Sequence, residues 1–230
     1  MRNALLALAA VALVAFTPGR AAADTEHVTR RVAAEPGGAL HLKNFSGRVT
    51  ITAFDGAEVI VDAVRHATRD RLDRITLDVH KDGSTVVVEA NHRDRSWDDR
   101  HDNVVETDFD IKVPRRTNLD VQVFSSPVDI TGVEGSYKVH AFSARVRLND
   151  VIWQDRQTID VNTFSGSVDV QLPAVAAGSV SFDSFSGDLK SDLPLTLRGS
   201  GRRSFSAELG SGGNGRLHVK TFSGDVRITR

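Results

Sequence analysis

His92, Asp94, Asp98, Asp99, His101 and Asp102 crowd into one short segment, and imidazoles with carboxylates are the side chains that hold divalent cations. Arg93, Arg95 and Arg100 interleave with them and would repel a cation, and no spacing follows a known metal-binding pattern. The expectation for residues 91–103 is therefore a solvated charged loop with no metal site. Trp97, an indole in this polar stretch, is the candidate contact residue, able to stack on a sugar or insert into a partner. Gly210, Gly212 and Gly215 match the glycine spacing of a dinucleotide loop, but no helix follows whose N-terminus could hold a pyrophosphate, so a turn and no cofactor are expected. Serine recurs in seven Phe-Ser pairs without a Gly-x-Ser-x-Gly elbow, and a residue repeated this way serves the repeat, as a hydrogen-bonding corner residue rather than a nucleophile. With no cysteine there is no thiolate nucleophile, Cys-ligated zinc or iron–sulfur cluster. No catalytic residue is assigned.

The chain has 230 residues, 40% hydrophobic and 26% charged, with 29 Lys plus Arg against 30 Asp plus Glu. That is a globular composition without the basic excess that neutralises phosphates, so nucleic acid is not an expected partner. Residues 1–23 open with Arg2, run through apolar Ala4–Phe16, break at Pro18-Gly19 and end on Ala21-Ala22-Ala23. This reads as a secretory signal peptide, its apolar run shorter than the about 20 residues that span a bilayer. Export to the periplasm or cell surface is expected, with no integral membrane segment once the leader is removed.

The elements that would position any site come from one repeat: Phe45-Ser46, Phe124-Ser125, Phe142-Ser143, Phe164-Ser165, Phe185-Ser186, Phe205-Ser206 and Phe222-Ser223, each followed by Gly, Ala or Ser. From Phe124 the spacings are 18, 22, 21, 20 and 17, which is the period of a solenoid. Five and three positions before the Phe stand apolar residues such as Leu40 and Leu42 or Ile159 and Val161; four and six after it stand Val49 and Ile51 or Val168 and Val170. The alternation is that of strands, and its parity switches at the small residue, which marks a corner. Each repeat is strand, corner, strand, turn. Stacked coils would place the Phe side chains one strand spacing apart, about 4.8 Å, in a ladder. Phe205 belongs to the weakest repeat, with Ser200 and Arg202 at inward positions, so its register is suspect.

The chain therefore reads as all-β: a single-stranded β-solenoid of roughly 20-residue coils, with an irregular antiparallel hairpin section in its N-terminal half. Val59–Val64, Ile75–Val79 and Thr85–Glu89 are expected strands, and Lys81-Asp82-Gly83-Ser84 a hairpin turn; degenerate coils are the alternative, with the hairpin favoured. The expected division is a leader over 1–23, an N-terminal β section over 24–117 and regular coils over 118–230, the last two forming one continuous domain. Outward residues five after the corner Phe alternate in sign from repeat to repeat, in the row Asp129, Arg147, Asp169, Lys190, Gly210 and Arg227, which suggests charge ladders between coils. The last repeat ends the chain without a cap, so an open C-terminal strand edge and self-association through it are expected.

The run Asp108–Gly135, with Ile111-Lys112-Val113-Pro114 and Asn118-Leu119-Asp120-Val121, resembles bacterial adhesin-like domains of unknown function built from β-strand repeats, and head-GIN domains share this style of repeat. The resemblance covers nearly all of the chain after the leader. It implies a β-solenoid exported to the envelope and no catalytic residues; Phe before each Ser departs from the smaller aliphatics expected there. The resulting expectation is a non-enzymatic adhesin-like binding or scaffold module with an envelope polymer or protein as partner. The alternatives are a polysaccharide lyase or hydrolase on a β-helix, or a periplasmic component of an envelope-stress system.

Overall fold

The computed structural model describes residues 23–92, 104–198, 201 and 203–230. Residues 1–22 of the leader, Trp97 and all the potential metal ligands except His92 lie outside these residues. The N-terminal half holds β1 (Asp24–Ala33), β2 (Ala39–Ser46), β3 (Val49–Phe54), β4 (Glu58–Ala67), a short helix α1 (Arg69–Arg74), β5 (Thr76–Asp82), β6 (Thr85–His92) and β7 (Glu106–Pro114). Next come β8 (Asn118–Ser125), β9 (Val128–Thr131), β10 (Tyr137–Ser143), β11 (Val146–Asn149), β12 (Thr158–Ser165) and β13 (Val168–Gln171). The chain closes with β14 (Gly178–Ser186), β15 (Leu189–Ser191), β16 (Leu195–Leu197), β17 (Ser204–Leu209), β18 (Gly215–Ser223) and β19 (Val226–Thr229).

Two mixed sheets face each other. The nine-stranded sheet runs β1-β4-β7-β3-β9-β11-β13-β19-β15 and the ten-stranded sheet β16-β17-β14-β18-β12-β10-β8-β2-β6-β5. Each Phe-Ser corner carries the chain from the ten-stranded to the nine-stranded sheet, and successive coils pair in parallel, so the fold is a β-solenoid. The inward residues named from the sequence line the space between the sheets: Leu40, Leu42, Val49 and Ile51 of the first coil are fully buried, as are Ile159, Val161, Val168 and Val170 of a later one. Burying each such side chain stabilises by about 1.5–3 kcal/mol. One apolar cluster runs from Leu40 to Ile228.

The hairpin is present, β5 pairing antiparallel with β6 around Gly83 at φ +58. However, β6 also pairs in parallel with β2, and β7 with β3, so these two strands take the places of a further coil, one with no Phe-Ser pair between its strands in the sequence. Antiparallel strands flank both ends of the ten-stranded sheet and one end of the nine-stranded sheet, whose other end is β15. At one end β4 lies on β7 and β1 on β4, with β5 on β6; at the other, β17 lies on β14 and β16 on β17. Helix α1 has no sequence signature beyond its Arg69–Asp73 and Arg74–Asp70 ion pairs at 2.7 and 2.8 Å, and buries only Leu72.

Three expectations are corrected. The coils do not stack in chain order: β18 lies between β12 and β14, and β19 between β13 and β15. The last coil has apolar residues at the same inward positions as β12/β13 and the same Phe-Ser-Gly corner as both neighbours, so it fits between them as well as at the end. It follows that the C-terminal strand is not an open edge, because β19 is hydrogen-bonded on both sides. Finally, Phe205-Ser206 is not a corner. Phe205, Ala207 and Leu209 alternate without a parity switch, so β17 runs straight and antiparallel along β14, placing Phe205 inward against Phe182 at 5.6 Å.

The corners require close backbone approach. Gly166 has φ +145, and a Cβ there would stand 2.0 Å from the Ala144 carbonyl oxygen of the neighbouring coil. Gly166→Ala is expected to lower stability by about 1–3 kcal/mol, read as a shift of the urea midpoint; an unchanged midpoint would show that the corner relaxes freely.

Candidate binding surface

In each coil the residues five, three and one before the corner Phe face inward, which leaves those four and two before it, and the Phe itself, on the outer face of the ten-stranded sheet. The strands pair in register, so three rows run along the stack. The rings follow in the spatial order Phe45, Phe124, Phe142, Phe164, Phe222, Phe185, with centroid steps of 4.6 to 4.9 Å and interplanar angles of 3–6°. Five of them are 41–47% exposed and Phe185, at the end, 62%. Stacked rings cover each other's faces, so the ribbon shows solvent its ring edges. Each stacked pair contributes about 0.5–1.5 kcal/mol beyond area burial.

The row beside the rings reads Lys43, Gln122, His140, Asn162, Lys220, Asp183. The outer row reads His41, Asp120, Lys138, Asp160, His218, Ser181. Neighbours make polar contacts: His41 lies 3.2 Å from Asp120, and His218 lies 3.6 Å from Asp160 and 3.4 Å from Asp183. Lys43 binds Glu89 at 2.8 Å, and this hydrogen bond, helped by His92, holds the Glu89 carboxyl below the usual range. Between rings and polar row lies a shallow groove floored by Val123 and Ala141.

Ser46 and Ser125 are in register, as are Ser143, Ser165, Ser223 and Ser186. Their role at the corner runs through the main chain: the Ala144, Gly166 and Gly224 amides donate to the carbonyls of Ser165, Ser223 and Ser186 at 3.0, 3.2 and 3.2 Å. Ser206, away from the corners, faces Ser181 with hydroxyls 3.4 Å apart. Beneath the rings lie Asn44, Thr163 and Thr221, all buried. The Asn44 amide donates to the Thr107 carbonyl at 3.0 Å and the Ser126 hydroxyl at 3.2 Å, tying the first corner to its neighbours.

On the outer face of the other sheet the charge row is Asp129, Arg147, Asp169, Arg227, Lys190 in space. Signs alternate through Arg227 and then repeat at Lys190, its neighbour in space. Arg147 and Asp129 close to 3.1 Å. Among the described residues no three His, Asp or Glu side chains gather to hold a metal, and no helix is long and apolar enough to cross a membrane.

The family model of Toastrack DUF4097 matches residues 40–229, from the first corner-bearing coil to the end of β19. The chain belongs to the Toastrack DUF4097 family. Among solved structures, a "putative cell adhesion protein" from Clostridium sporogenes superposes with a TM-score of 0.63 at 10% identity, over 89% of this Toastrack chain and 99% of that one. The likeness is one of fold. A "putative adhesin" from Bacteroides fragilis is similar at a TM-score of 0.34 and 10% identity, over 88% and 97% of the two chains. A "putative lipid binding protein" from Parabacteroides distasonis is similar at 0.30 and 8%, over 92% and 98%. No curated protein matches the chain.

The outward setting of the Toastrack rings could have been found from parity, since Phe stands an even number of residues from the outward positions before it. Two measurements check this surface. Phe142→Ala removes two ring contacts from a half-exposed side chain and is expected to cost about 1–3 kcal/mol, less than a truncation in the core, by urea unfolding. Tyr137, the single tyrosine, is buried against the core; desolvation first, and the Glu134 charge second, push its phenol well above the ordinary value of 10.0. The unfolded chain then releases a proton that the folded one keeps, so stability falls as pH rises above about 10. Phenolate absorbance is expected only with alkaline unfolding; a reversible titration near 10 in folded protein would contradict the buried placement.

Proposed function

We propose that this chain is an exported, non-enzymatic, adhesin-like binding module of the cell envelope, and that its contact surface is the phenylalanine ribbon. The observation that carries the reading is six half-exposed rings in one unbroken row on a solvent face. They expose roughly 500 Å² of ring surface, at the upper end of what a monomer shows without functional cause. Their stacking stabilises the coil, but they lie outside the apolar core between the sheets. Edge-on rings suit an apolar strip on a partner better than the face of a sugar, while the polar row beside them orients it. The leader over residues 1–23 supports export, and the name of the Clostridium sporogenes structure supports the adhesin-like class.

Co-sedimentation with wall sacculi, outer membranes and inner membranes, at low and high salt, tests this. Saturable, salt-resistant pelleting with one fraction is expected, and its loss when Phe124, Phe142 and Phe164 are replaced together by Ser in a chain that keeps its β circular dichroism. Pelleting with no fraction, or pelleting that this variant retains, would overturn the reading.

A further inference from the structure

The ribbon face is complementary to itself. Counted along the stack, its six coils run from β2/β3 through β8/β9, β10/β11, β12/β13 and β18/β19 to β14/β15. A two-fold axis parallel to the strands turns the face onto a second copy, keeps strand direction and reverses the coil order. The first coil then meets the sixth, the second the fifth and the third the fourth. In the row beside the rings this sets Lys43 against the second copy's Asp183, Gln122 against Lys220 and His140 against Asn162. In the outer row it sets Asp120 against His218, Lys138 against Asp160 and His41 against Ser181.

No like charges meet in either row, and each opposed pair occurs twice. The match depends on the inserted coil, since stacking in chain order would bring Lys43 onto Lys220. Spacing agrees with charge: the rings of both copies repeat every 4.6–4.9 Å and lie within 3–6° of parallel to their neighbours, so with coil opposite coil the two rows of rings meet edge to edge along the stack. The roughly 500 Å² of ring surface plus the two flanking rows approaches the about 800 Å² per partner of a stable interface.

We infer that the phenylalanine face pairs with a second copy of this chain, two ribbons packing antiparallel to each other in a closed two-fold dimer. The inference rests on the reading of this face as the contact surface and adds its regulation, because pairing covers the ribbon and competes with any envelope partner. Lys43 keeps its own Glu89 in the dimer, and the second copy's Asp183 adds a further carboxylate to it.

Analytical ultracentrifugation over a roughly hundredfold concentration range tests the pairing without envelope material, so its failure is separate from that of co-sedimentation. A monomer–dimer equilibrium is expected. Asp183→Lys and Lys43→Asp each place like charges in apposition and weaken the dimer by about tenfold or more. Mixing the two variants restores both pairs in a heterodimer, which a role of either residue in its own chain would not do. The pair Lys138→Asp and Asp160→Lys gives the same test should either first variant lose its β circular dichroism. A monomer at every concentration, open-ended aggregates, single variants that dimerise undiminished, or a mixture no tighter than its components would each overturn the inference. So would a monomer that binds zwitterionic phosphatidylcholine vesicles through the ribbon.

Discussion

Parallel pairing at one strand spacing is the constraint from which this molecule follows. Once coils stack about 4.8 Å apart, every position of the coil becomes a row of like neighbours. Apolar inward positions fuse into one core, small corner residues must tolerate backbone at contact distance, and charged positions must alternate or share a counter-ion. The phenylalanine ribbon obeys the same rule, because rings repeated at one outward position stack face to face at 4.6 to 4.9 Å.

A stack of identical spacings has no intrinsic end, and its ends are edges that invite further strands. The chain flanks three of the four sheet ends with segments that do not obey the repeat, the fourth being the three-residue β15. At one end β1, β4 and the β5–β6 hairpin run antiparallel; at the other, β16 and β17 fold back over β14. The C-terminal coil is enclosed, with Val219 and Ile228 fully buried in the middle of the stack. Phe205 marks the transition, turned inward against Phe182 where the repeat gives way to the cap.

Most of the coil was legible in the sequence because burial alternates strictly along a strand. Leu119, Val121, Val128 and Ile130 could be assigned inward, and the corner at Phe124-Ser125-Ser126 located, from parity alone. The order of the coils was not legible, since the coils ending at Thr229 and at Ser191 both carry a Phe-Ser-Gly corner and apolar residues at three matching inward positions, so either could neighbour the coil ending at Gln171. Helix α1 was missed because it buries one side chain, too few to leave a period. The β6/β7 coil was hidden because no Phe-Ser pair separates its two strands in the sequence. The binding surface was half legible: the Phe ladder followed from the spacing, whereas its partner rows depend on which coil lies beside which.

The coil order is the claim on which both the ribbon and its self-complementarity rest, and the absence of cysteine gives a clean background for testing it. Ser165 and Ser223 are in register on adjacent strands, whereas Ser186 lies one coil beyond Ser223. Neighbouring coils put Cα atoms about 4.8 Å apart, within disulfide range, and the next coil about twice that, beyond it. Oxidation of the Ser165→Cys/Ser223→Cys double variant is expected to give a rapid intramolecular disulfide, and of Ser165→Cys/Ser186→Cys none. The reverse pattern would show coils stacked in chain order and contradict the account.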